Sequence, residues 1–152
     1  MRSERSVEID RPIEDVFRLT TEHVAEWSII VVEDTVIDSK PGGVGTTFRT
    51  VTEENGKKMV FDGTVVRHEP PFVSAVEMRG QYFDIHAVYL FEDLGGRTRA
   101  TQKSEVFGKG LFKLILTLMG WMMRGASCKA LDKELASLKR FCEERIGAST
   151  TG

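Results

Sequence analysis

Residues 110–146, GLFKLILTLMGWMMRGASCKALDKELASLKRFCEERI, read as one candidate helix of exceptional length. The second half is amphipathic in the ordinary way. Leu131, Leu135, Leu138 and Cys142 recur at helical spacing on one stripe, with Lys, Asp and Glu elsewhere. The first half is different: from Leu111 to Met123 every position is apolar except Lys113, Thr117 and Gly120. One stripe cannot use all of that surface. Leu111, Leu114, Ile115, Leu118 and Met122 fit a stripe facing a sheet. Phe112, Leu116, Met119, Trp121 and Met123 are then left for the segment around Trp27, a second copy of the chain, or a membrane surface to cover. Gly120 and Gly125 lower helix propensity and mark a candidate bend or hinge.

A helix of this length needs a broad apolar surface to lie on, and the preceding residues supply only strands. These read as 29–38, 46–53, 58–67, 73–79, 82–92 and 98–106, bounded by Pro41-Gly42-Gly43, Asn55-Gly56, Pro70-Pro71 and Gly95-Gly96. Such short connections imply an antiparallel meander. The run Arg5–Asp10 adds a seventh strand, with Val7 and Ile9 alternating against Glu8 and Asp10. Pro12 then stands at the first position of a short helix, with Glu14 and Asp15 in its first turn and Ile13, Val16, Phe17 and Thr20 inside. A second short helical or irregular segment carries Trp27. The expected architecture is α+β: a seven-stranded curved antiparallel sheet wrapped around a long C-terminal helix, with two short helices between strands 1 and 2. One domain is expected over 1–146, followed by a disordered polar tail over 147–152.

Composition narrows the function. The 152 residues are 41% hydrophobic and 29% charged with a formal net charge of -2, so the basic bias of a nucleic-acid binder is missing. No secretory leader and no transmembrane segment is read, since the longest apolar stretch falls short of the roughly 20 residues that span a bilayer. A cytoplasmic protein is the expectation. Cys128 and Cys142 would lie about 21 Å apart on a straight helix, too far to pair, and are read as free thiols. His23 and His68 lack metal-ligand spacing and the cysteines form no C-x-x-C, so no metal and no cofactor is expected. Gly43-x-Gly45 precedes a strand and reads as a turn, not as a phosphate loop. Lys129, Lys133, Lys139, Arg140 and Arg145, interleaved with Asp132, Glu134, Glu143 and Glu144, read as a solvated helix face.

The order of motifs is also specific. SVEIDRPIEDVF (6–17), Trp27, GGVGTTFRT (42–50), VVRHEPP (65–71), YLFEDLGGRTRAT (89–101) and LASLKRFCEE (135–144) resemble the START-like, helix-grip superfamily, in particular its polyketide cyclase/dehydrase branch. The resemblance covers about residues 5–145. Its landmarks are architectural, so it implies a helix-grip fold with a cavity more firmly than a reaction. Members range from lipid and hormone carriers to cyclases.

Strand parity reaches a similar cavity by a separate route. Phe83, Ile85, Ala87, Tyr89 and Phe91 share one face of their strand, and Ala100, Gln102, Ser104 and Val106 share one face of the next. With Trp27, Phe48 and Phe61, and with Leu114, Leu118 and Met122 from the helix, they form the expected ligand-binding wall. Gln102, Ser104 and Tyr89 are its polar atoms, and they pair internally, with water, or with a ligand. Asp84 and His86, two apart on the opposite face, are the candidate general acid/base pair, since a carboxylate neighbour raises imidazole basicity. Three function classes stand. The first is a carrier or sensor of a hydrophobic small molecule such as a lipid, isoprenoid, quinone or aromatic polyketide. The second is a cyclase or dehydratase, which requires Asp84, His86, Glu77 or Arg49 to point inward. The third is an interaction module, including a homodimer through the apolar surface 112–123.

Overall fold

The structure is a computed structural model that describes residues 2–150, without the side chains of 121–124 and 145–150. In chain order the elements are β1 (Arg2–Ile9), α1 (Ile13–Glu22), α2 (Val24–Trp27), β2 (Val31–Asp38), β3 (Thr47–Glu54), β4 (Lys57–Glu69), β5 (Val73–Arg79), β6 (Phe83–Asp93), β7 (Thr98–Gly108) and α3 (Leu111–Thr150). The seven strands form one antiparallel sheet in the order β1-β7-β6-β5-β4-β3-β2. Tight turns dictate this meander. Between β3 and β4, Asn55 and Gly56 both take positive φ (53° and 77°), the conformation a two-residue hairpin requires. The expected strands appear with ends displaced by at most three residues, and 73–79 appears unchanged. Pro12 caps α1 from just outside it, one residue before the position expected.

Register shifts within β2 and within β4 bend the sheet. The bend carries the β2 edge round to the middle of α3. There Ser28 Oγ and the Ile29 amide each donate to the Glu134 carboxylate at 2.7 Å, and Ser137 Oγ donates to the Trp27 carbonyl. The core lies at the other end of the sheet. Leu131, Leu135, Leu138 and Cys142 pack there with Ile9, Val16, Phe17, Leu19, Trp27, Phe91 and Ala100. Trp27 is only 2% exposed, and its indole N–H donates to the Thr20 carbonyl at 3.0 Å. Both cysteines are free thiols. Cys142 is a core residue whose thiol burial pushes up to about 12.

The first half of α3 departs from the sequence expectation. Leu111, Leu114 and Leu118, assigned to the sheet-facing stripe, are 70%, 54% and 65% exposed. Helical phase explains why. About 18 residues make five turns of α-helix, so positions 18 apart share a face. Carried back that far, the buried stripe Leu131, Leu135, Leu138 falls on Lys113, Thr117 and Gly120. Leu111, Leu114 and Leu118 fall in phase with Lys129, Asp132 and Ala136, all exposed. The apolar arc thus changes sides along one continuous helix. Length contributes as well: 40 helical residues span about 60 Å, whereas the 13 residues of β4 span about 43 Å, so α3 overhangs the sheet. Phe112 turns back, its ring 5.2 Å from Tyr82 and 6.3 Å from Phe83, and Ile115 and Leu116 are half-buried. The Trp27 segment, packed against the second half, does not cover the first. Met122 and the expected tail 147–152 lie outside the described residues. No helix among them is long and apolar enough to cross a membrane.

This placement separates two leucines of one helix. Leu138→Ala should cost about 2–5 kcal/mol in urea unfolding, and Leu118→Ala less than about 0.5. Equal losses at both positions would contradict the phase of α3.

Candidate functional site

Because α3 grips one end of the sheet and reaches the β2 edge chiefly through Glu134, the concave face between those contacts stays uncovered by packed side chains. A cavity of about 1210 Å³ results. Strand parity builds its wall. Ile85, Ala87 and Tyr89 of β6 stand beside Gln102, Ser104 and Val106 of β7, in the paired register Ala87↔Ser104 and Tyr89↔Gln102. Val76 and Met78 of β5, Phe48, Thr50 and Thr52 of β3, and Trp27 continue it. Gly63 shapes the far side: the Phe48 ring lies across it, and a Cβ at 63 would stand 2.2 Å from the ring. Ser127, Ala130 and Glu134 of α3 border it on the helix side, while His68, its ring tilted against Phe17 at 5.4 Å, lines one end.

Most of the expected ligand-binding residues therefore meet on one surface: Trp27, Phe48, Ile85, Ala87, Tyr89, Gln102 and Ser104 all line the cavity. Others are placed elsewhere. Phe61 and Phe83 pack on each other at 5.7 Å beyond the wall, and Phe91 packs edge-on against Phe17 in the core. Leu114 and Leu118 are exposed on α3 and form no part of the wall. Asp84 and His86 occupy the outer face of the sheet. Asp84 pairs with Lys109 at 2.9 Å, and His86 lies 3.6 Å from Glu77 with its ring 4.7 Å from Phe107. Arg49 likewise turns outward, 3.4 Å from Asp62. None of the four lines the cavity.

The polar groups inside form a cluster that the sequence reading only half contained. Gln102 Oε1 is buried and accepts no hydrogen bond from the described residues. Beside it, burial raises the pKa of the Tyr89 hydroxyl, and the charges of Glu134 and Asp34, which line the same cavity, raise it further. Asp34 faces the open space of the cavity, yet enough protein surrounds it that burial pushes its carboxyl up, against the hydrogen bond donated by Thr50 Oγ1 at 2.7 Å. Burial also raises Glu134, against its hydrogen bonds from Ser28 and the Ile29 and Ile30 amides. The solvated face expected to include Glu134 is thus interrupted there. Asp34 belongs to a strand for which the sequence pattern assigns no inner face, and the bulges of β2 shift which of its residues face inward. Chemically, the site offers a mainly apolar hollow, an unused acceptor at Gln102 and two carboxyls that hold protons above the ordinary range. Among the described residues, no group of three or more His, Cys, Asp or Glu is arranged to hold a metal ion.

Comparison with known proteins agrees with the fold. A family model described as polyketide cyclase / dehydrase and lipid transport matches residues 1–143. The fold is similar to that of the Zhui aromatase/cyclase from a Streptomyces species (TM-score 0.79, 12% identity, 96% of this chain and 95% of that one covered). It is similar to a START superfamily protein from Mycobacterium smegmatis (0.80, 16%, 94% and 97%). It is also similar to a protein from Thermus thermophilus (0.73, 19%, 98% and 99%). At these identities the likeness is one of fold. No curated protein matches the sequence.

The raised carboxyl of Asp34 has a pH signature. A carboxyl whose folded pKa lies above its unfolded value holds its proton more tightly in the folded protein. Its stabilising contribution is complete below the ordinary value of 3.8 and is lost as pH rises through the raised folded value. Asp34→Asn keeps an acceptor for Thr50 and removes the charge. Denaturant unfolding should find it more stable than wild type at neutral pH, with the gap closing as the pH falls toward about 4. A gap that widens in acid would contradict the upward shift of the Asp34 carboxyl.

Proposed function

The chain belongs to the polyketide cyclase / dehydrase and lipid transport family, and we propose that it binds a predominantly apolar small molecule bearing a hydroxyl group, as a carrier or sensor. The observation that carries this reading is Gln102 Oε1, a buried acceptor without a partner among the described residues, on the wall of a cavity of about 1210 Å³. A buried carbonyl oxygen left unpaired costs about 1–3 kcal/mol, and a ligand O–H at that position recovers it. The surrounding Trp27, Ile85, Ala87 and Val106 favour carbon. Hydroxylated lipids, isoprenoid alcohols, hydroquinones and phenolic polyketides share this chemistry. Two free thiols suit a reducing compartment, so action in the cytoplasm is part of the proposal.

Native mass spectrometry of protein purified without denaturation is expected to show a co-purified apolar molecule. A thermal-shift panel should show hydroxylated ligands raising Tm by about 5 °C at a hundredfold excess over Kd, and their methyl ethers raising it less. Ser104→Trp, which crowds the wall beside Gln102, should weaken both signals. No bound molecule, and no shift across fatty alcohols, isoprenoid alcohols and polycyclic phenols, would sink the reading.

A second reading rests on a different observation. Asp34 and Glu134 are two carboxyls whose pKa values burial raises, the direction of shift that suits a general acid. A cyclase- or dehydratase-like activity would use these residues, not Asp84 and His86. Turnover of a poly-β-ketone thioester analogue that falls roughly a hundredfold or more in Asp34→Asn, with ligand affinity unchanged, would establish it. An absence of turnover by wild type on such analogues would leave the carrier.

A further inference from the structure

We propose that the first half of α3 docks the protein onto an anionic lipid surface, independently of what the cavity binds. Leu111, Leu114 and Leu118 form one stripe, 70%, 54% and 65% exposed, on the side that becomes charged and solvated in the second half of the same helix. Met119 beside them is exposed as well, and nothing within the described chain covers them. An apolar arc that changes sides along one continuous helix serves two partners, the protein's own core at one end and something external at the other.

Charge identifies the external partner. From Val106 to Leu131 the sequence contains Lys109, Lys113, Arg124 and Lys129 and no Asp or Glu. Lys109 is matched by Asp84 at 2.9 Å, whereas Lys113 and Lys129 make no ion pair among the described residues. Apolar residues flanked by unpaired lysines are the composition of a helix that lies in the interface of an anionic bilayer. A second copy fits less well. An isologous contact brings like lysines together, and a stripe of about two turns is small against the roughly 800 Å² per partner of a stable protein interface. Eighteen residues on from Leu111, in the same helical phase, Lys129 lines the cavity, so docking would set the mouth of the hollow beside the lipid.

Flotation with vesicles of phosphatidylcholine, with and without phosphatidylglycerol, tests this. Wild type is expected to float with the anionic vesicles, more weakly as salt rises. Leu114→Glu combined with Leu118→Glu should bind roughly a hundredfold less tightly with an unchanged Tm, because both side chains are exposed. Lys113→Glu should lower binding to the anionic vesicles by a smaller factor and flatten the salt dependence. Flotation unaffected by these substitutions overturns the proposal. So does no flotation with either vesicle, including the case where wild type forms a concentration-dependent dimer that the double variant abolishes.

Discussion

The seating of Leu131, Leu135, Leu138 and Cys142 against Ile9, Phe91 and Ala100 arranges everything else in the molecule. Each buried leucine contributes about 1.5–3 kcal/mol, and together they fix where the long helix grips the sheet. The grip is one-sided. It holds β1, β7 and the end of β6, and leaves the remaining strands to arch toward α3 without side chains thick enough to fill the interval. Glu134 closes the arch at the β2 edge with charge-assisted hydrogen bonds from Ser28 and Ile29. A hollow follows from a sheet fastened at both edges and supported only at one.

Gly63 widens this hollow by letting the Phe48 ring lie flat across β4, and Ala87 and Ser104 widen it by being small. Against that carbon surface the polar groups are few and therefore selective. Gln102 presents an acceptor, while Tyr89, Asp34 and Glu134 hold their protons more firmly than they would in water. A ligand entering here exchanges water for apolar contact along most of its length and meets hydrogen-bonding groups mainly in one place.

The architecture was legible because its causes are local. Turn residues separated the strands, alternation oriented β6 and β7, and the leucines of the final turns announced a buried stripe. The wall residues Ile85, Ala87, Tyr89, Gln102 and Ser104 followed from parity alone. What failed did so for physical reasons. Asp34 sits between bulges that reset the alternation of β2. Glu134 looks like one more charge on a solvated face until folding brings the β2 edge to it. Leu114 and Leu118 fit a sheet-facing stripe only while the first half of α3 is considered apart from the second. Five turns back from Leu131, Leu135 and Leu138 stand Lys113, Thr117 and Gly120, so the mismatch is present in the sequence itself.

A sheet held at its two edges keeps its interior open and lined by carbon, and a crystal structure of the natively purified protein is the decisive check. Continuous non-protein electron density is expected between Tyr89, Gln102 and Phe48, with the β2–β3 edge in place against Glu134. Strands β2 and β3 collapsed onto α3, with the interior filled by their own side chains, would refute it.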